Sequence, residues 1–220
     1  MNINRREFSA RVIGTGAGLG ALALTFAPPA GSQGPEPAEG TEFTRLSPPV
    51  VTQGSPKIEV LEFFSYACPH CSAFEPTLDA WAKKLPADVV LKRVPVAFLM
   101  NAENFQRTYF ALESLGWVAL MQRKIFTAVH VDHLRLEKPA DIAALVAKNG
   151  GDEKKFLDAF NSFSVATNVS RAKKLSADYK IDSVPTLAVH GRFITSPAQA
   201  GSSERALAVV DALIQKARKG

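Results

Sequence analysis

The residues best suited to chemistry lie in one short stretch, Cys68-Pro69-His70-Cys71, which holds both cysteines of the 220-residue chain. At helical spacing their two Cα atoms stand about 5 Å apart. A disulfide spans that distance, so the pair can close and open without moving the backbone. Pro69 fits the first turn of a helix, where no internal partner waits for its N–H. The first-turn amides and the positive end of the helix dipole favour a thiolate at Cys68. His70 can add a donor or a positive charge. A cysteine whose pKa is lowered in this way is a good leaving group, and its disulfide is reactive and oxidising.

Two plainer readings compete. A structural bridge between i and i+3 closes a tiny loop and gains little chain entropy. A zinc site needs four ligands, and C-x-x-C supplies two. His130 and His133 could complete it, but their spacing is shorter than the usual pattern. A zinc carrier or a peptide-binding chaperone is the rival of a different class.

The elements around the pair must position it. Ile58 to Phe64 is nearly continuous in apolar residues, as in a strand covered on both faces. Glu62 interrupts it, on the same face as Ile58, Val60 and Phe64 at period two. A buried carboxyl there would have a raised pKa. Glu62 reads either as a proton relay for Cys71 or as a strand-end acid paired with a lysine. A helix follows to about Leu85, with Phe74, Leu78 and Trp81 on its buried stripe and Pro76 as a kink. Val89 to Phe98 is the next strand, and Pro95 implies an edge or a bulge. Arg93 could place positive charge near the active site, with a solvated strand residue as the default reading.

From Asn101 to about Tyr179 the pattern is helical. Phe105, Tyr109 and Leu112 form one stripe; Trp117, Met121, Ile125 and Val129 the next. Ile142, Leu145 and Val146 follow Pro139, and Phe156, Leu157 and Phe160 follow a capping Asp152. Val165 to Tyr179 makes the last. His130, Asp132 and His133 read as a solvated loop. The β pattern returns at Thr186–Val189 and Arg192–Ile194, joined by a His190-Gly191 turn. Ser202 caps a final helix. An edge strand falls within Phe43–Leu46. A helical block of about 80 residues is too long for one connection, so it is an inserted subdomain in an α/β domain.

Composition is that of a globular protein, 46% hydrophobic and 21% charged, with net charge +5. No block of like charge forms a nucleic-acid stripe. Arg5-Arg6 precede Phe8 and an uncharged run from Val12 to Ala27, the parts of an export signal. Asn4-Arg5-Arg6-Glu7-Phe8 resembles the twin-arginine motif, with the general secretory route as the alternative. Cleavage after Ala27 or after Ala30 fits equally, and the run is short for a permanent anchor. Gly16 to Ala21 spells a dinucleotide fingerprint, but no strand precedes it. In an oxidising compartment the cysteine pair can persist as a disulfide or act as a redox couple.

The strand, the C-x-x-C helix and a distant Val184-Pro185-Thr186 together resemble the thioredoxin fold. Val60-Leu61-Glu62-Phe63-Phe64-Ser65, the Cys68-Pro69-His70-Cys71 centre and the helical insertion are similar to the DsbA family of periplasmic thiol:disulfide oxidases, over residues 41–220. The resemblance implies a thioredoxin-like α/β fold with an inserted all-helical subdomain. Its parts would be 41–99, 100–172 and 173–220, after an export signal at 1–30 and a disordered linker at 31–40. It implies that Cys68 is the exposed nucleophile, Cys71 its buried partner, His70 the stabiliser of the thiolate and Glu62 the buried acid. The peptide bond before Pro185 would be cis, with the Val184 backbone available to pair with an extended substrate. Reduced exported proteins would be the substrates, in the periplasm. Reoxidation would fall to a membrane quinone reductase of the DsbB type. A monomer without cofactor, metal or nucleic acid is implied. Ala67 departs from the pattern, since an aromatic is common there. An isomerase or reductant of the same fold is the chemical rival; dedicated isomerases usually carry a dimerisation domain, for which residues 28–56 leave no room.

Overall fold

The apolar run Ile58–Phe64 forms strand β2, buried at every position. A strand covered on both faces needs neighbours on both edges and layers above and below. The computed structural model, which describes residues 36–52 and 56–219, supplies them. β1 (Thr44–Arg45), β2, β3 (Val89–Pro95), β4 (Thr186–Val189) and β5 (Phe193–Thr195) form one sheet in the order β1-β5-β4-β2-β3. β2 and β3 are parallel, joined through helix α1 (Pro69–Ala82). The other pairs are antiparallel. Pro95, which has no N–H to give, ends an edge strand.

Five helices separate β3 from β4: α2 (Ala102–Ser114), α3 (Val118–His130), α4 (Pro139–Lys148), α5 (Glu153–Phe160) and α6 (Phe163–Asp178). They cover one sheet face, where Leu61 and Phe63 meet Leu112, Phe126 and Val169. On the other face Ile58 and Val60 pack with Phe74 and Leu78 of α1 and with Leu207 and Val210 of α8 (Ser203–Arg218). The strand's alternation thus divides two apolar cores. Phe64 is the exception: it packs with Tyr66 and Tyr109 among the helices, not on the face of Ile58.

Several local readings meet small corrections. α1 ends at Ala82 rather than near Leu85, and β5 begins one residue later than the alternation suggests. A one-turn helix α7 (Pro197–Ala200), capped by Ser196, precedes α8. Residues 38–40 of the expected linker are folded back on the strand entrance, with Gly40 N–H donating to Phe43 O. α6 runs unbroken through residue 172, where the insertion was expected to end. The export signal expected at 1–30 lies outside the described residues. Among the described residues no helix is long and apolar enough to cross a membrane.

The β4–β5 hairpin is tied to the segment before it. His190 and Gly191 both have positive φ, 50° and 68°. A Cβ on Gly191 would overlap the Val50 carbonyl, so only glycine lets that strap cross the turn. The hairpin in turn places Val184-Pro185 at the N-terminal end of α1.

Candidate active site

Cys68 ends the loop after β2 and is itself the N-cap of α1, with extended backbone. Its Sγ accepts the Cys71 N–H at 3.3 Å, a role usually filled by a side-chain oxygen. Pro69 stands at the start of the helix, where its missing N–H costs nothing. Ser65 steadies the approach: its carbonyl accepts the Cys68 N–H and its hydroxyl accepts the Ala67 N–H.

The two thiols are unequal. The Cys71 thiol, donating to Cys68, holds the Cys68 pKa down at about 6 against the drag of burial, helped by the Cys71 and His70 amides and least by the His70 imidazole. Burial drives Cys71 far above the thiol range, and its bond to Cys68 adds to the effect. Val184 lies across the pair: its carbonyl is 3.4 Å from Cys68 Sγ, and the Val184–Pro185 peptide is cis. Cys68 is 5% exposed, against 0% for Cys71. The cysteine expected to be exposed is therefore buried in this structure. His70 is exposed.

Beneath the cysteines runs a buried polar chain. The β2–β3 register sets Glu62 opposite Arg93. Arg93 Nε donates to Glu62 Oε2, and its Nη2 to Glu75 Oε1, both at 2.8 Å. Gln122 on α3 donates to Glu75 and accepts from the Tyr66 hydroxyl. Arg93 is thus not the solvated strand residue its position suggested. It is the shared cation of two acids, and Glu62 is paired with an arginine rather than a lysine. Burial raises the Glu62 pKa to about 7 although Arg93 opposes the shift, and burial raises Glu75 as well. Glu62 Oε1 is buried without a hydrogen-bond partner among the described residues.

An acid raised above its unfolded value stabilises the fold when protonated. The contribution is complete below about pH 4.5 and is lost as the pH rises through about 7. Glu62→Gln is therefore expected to flatten the dependence of unfolding free energy on pH across that window. Denaturant melts at several pH values read it; an unchanged slope would place the titrating proton elsewhere.

His130 and His133 do not approach the cysteines as a ligand set, and no cluster of metal-ligating residues exists among the described residues. His130 is not solvated loop either: it ends α3 and its Nε2 bonds the Tyr66 carbonyl at 2.8 Å. Glu75, Gln122 and Tyr66 were not foreseen. Glu75 had a signal, since it lies one turn beyond the buried Cys71 on the same helix face.

A family model, the DSBA-like thioredoxin domain, matches residues 59–207. The chain belongs to that family. The thiol:disulfide interchange protein DsbA of Bordetella pertussis is 43% identical over 204 residues, covering 92% of this chain and 94% of that one. Its counterpart in Pseudomonas aeruginosa is 40% identical over 181 residues, covering 81% and 85%. Among solved structures, P. aeruginosa DsbA superposes with a TM-score of 0.80 at 39% identity, covering 83% of this chain and 95% of that one. The oxidoreductase DsbA of Xylella fastidiosa gives 0.77 at 26%, covering 84% and 99%. The thioredoxin-like fold with its helical insertion is thus the DsbA-family fold, and this chain is a thiol:disulfide oxidoreductase.

Proposed function

We propose that the chain oxidises the thiols of exported proteins, with Cys68 as the sulfur that substrate attacks. The observation that carries this reading is the unequal pair of thiols at the start of α1. A substrate thiolate attacks Cys68 Sγ in the Cys68–Cys71 disulfide, the S–S bond breaks, and Cys71 leaves and takes up a proton. The substrate's second thiolate then attacks its own sulfur in the mixed disulfide and expels Cys68 as a thiolate. Two electrons pass from substrate to enzyme. A leaving thiolate held near pKa 6 drives that second step forward.

Glu62, whose unpartnered oxygen is fully buried and whose charge is felt at Cys71, supplies the Cys71 proton. His70 favours the Cys68 thiolate through its amide and its imidazole. Val184 and Pro185 flank Cys68 and offer main chain to an extended substrate. The enzyme acts as a monomer in the periplasm, needs no bound cofactor, and is reoxidised by a membrane quinone reductase of the DsbB type.

The test is a single turnover. Oxidised protein is mixed with a reduced, unfolded polypeptide carrying two cysteines, quenched in acid and analysed by mass. One substrate disulfide is expected for each enzyme disulfide consumed. Intact substrate thiols, or one zinc ion bound per reduced protein, would overturn the proposal in favour of a binding module.

A further inference from the structure

The helical insertion does more than cover the sheet. α3 grips Tyr66 at both ends. The Tyr66 hydroxyl donates to Gln122 Oε1 at 2.6 Å, and the Tyr66 carbonyl accepts from His130 Nε2 at 2.8 Å. Between them the Phe126 ring meets the Tyr66 ring edge to face at 5.2 Å, and it stacks on the His130 imidazole. Gln122, Phe126 and His130 follow one another at four-residue steps, so they share one face of α3. Tyr66 is wholly buried and stands two residues before Cys68. The residue before it, Ser65, holds the Cys68 and Ala67 amides.

A cap that only excluded water could pack here with apolar side chains. Two directional bonds fix the position of a loop as apolar contact does not. We infer that α3 is a positioning element for the redox pair: His130 and Gln122 hold Tyr66, and through it they set where Cys68 Sγ sits against the first turn of α1 and the Val184 carbonyl. Neither residue touches the reacting sulfurs. A carbonyl only accepts, so His130 Nε2 carries a proton; both the neutral Nε2–H tautomer and the imidazolium keep the bond. The inference rests on the proposed exchange chemistry at Cys68 and adds to it that the insertion tunes the centre.

Three variants test it, each equilibrated in glutathione buffers and titrated by thiolate absorbance. His130→Ala removes the bond to the Tyr66 carbonyl. It is expected to shift the equilibrium with glutathione about fivefold toward the enzyme disulfide, the worth of one hydrogen bond, and to raise the Cys68 midpoint. Tyr66→Phe deletes one oxygen and is expected to shift it in the same direction. His130→Gln restores a donor and is expected to return the equilibrium to within about twofold of the parent. If His130→Ala loses stability equally in both redox forms while its equilibrium and titration stay those of the parent, the contact is structural only and the inference fails. Should His130→Ala not fold, an unshifted equilibrium in Tyr66→Phe overturns it instead. Failure of the proposed function would show in the parent protein itself, as the absence of any redox equilibrium with glutathione.

Discussion

Replacing Cys68 with Ser is expected to reduce the oxidation of a reduced test protein to the rate of uncatalysed exchange. The chain has two cysteines, so only the buried Cys71 remains, and a lone thiol has no partner with which to form the exchanging disulfide. A serine oxygen neither forms the disulfide nor leaves as a thiolate. Replacing Cys71 with Ser should give a different failure. Cys68 would keep the Cys71-position amide, but it would lose the thiol that donates most to its stabilisation and the partner that resolves a mixed disulfide. Challenged with a disulfide-containing probe, that variant is expected to accumulate as the covalent mixed species. Stopped reactions separated without reductant distinguish the two variants. Oxidation by the Cys68→Ser protein above background, or a Cys71→Ser protein that releases its partner as fast as the parent, would contradict the assigned order of attack.

The largest expected loss of stability comes from Arg93. Its guanidinium is the only cation bonded to Glu62 and Glu75 among the described residues, and both acids are buried. Arg93→Met leaves two buried carboxyls without it. Breaking such a cluster from one side costs about 3–5 kcal/mol, a large share of the stability of an ordinary domain. The carboxyls can respond by holding protons. Their folded pKa values, already above the unfolded ones, would rise further, so the loss should be smallest in acid and grow as the pH climbs. Arg93→Lys should recover only part of it, since one ammonium cannot make the separate Nε and Nη2 bonds of the guanidinium fork. Denaturant melts of the reduced protein at about pH 5 and about pH 8 measure this. A loss that does not change with pH would mean that the two acids do not depend on Arg93 for their charge.

What the sequence made legible was whatever a single element carries by itself. Ile58–Phe64 announces a doubly covered strand because its five apolar residues fall on both faces. Asp152 and Ser202 announce helix starts because their side chains accept the N–H three residues on. The cysteine pair is legible because four adjacent residues contain it; Glu62 stands out as an acid in an apolar strand, and the family pattern added Pro185. What stayed hidden depends on register between elements. Glu62 meets Arg93 only because Ile58 pairs with Val89, and no local pattern states that offset. Gln122 and His130 reach Tyr66 from a helix more than fifty residues away in the chain. α7 is one turn long, too short for any period to show, although Ser196-Pro197 marks its start.

The claim beneath all of this is that opening the disulfide relieves the molecule, because Cys68 then carries its charge at the end of α1. The direct measurement is a pair of denaturant melts, disulfide form and dithiol form, across pH. A thiol whose folded pKa lies near 6 and whose unfolded pKa lies near 9 adds stability in full above the unfolded value and loses it as the pH falls through about 6. The dithiol form is expected to be the sturdier at pH 7, with its advantage shrinking toward pH 5. A disulfide form that resists denaturant better at pH 7, or a difference between the forms that ignores pH, would contradict the claim.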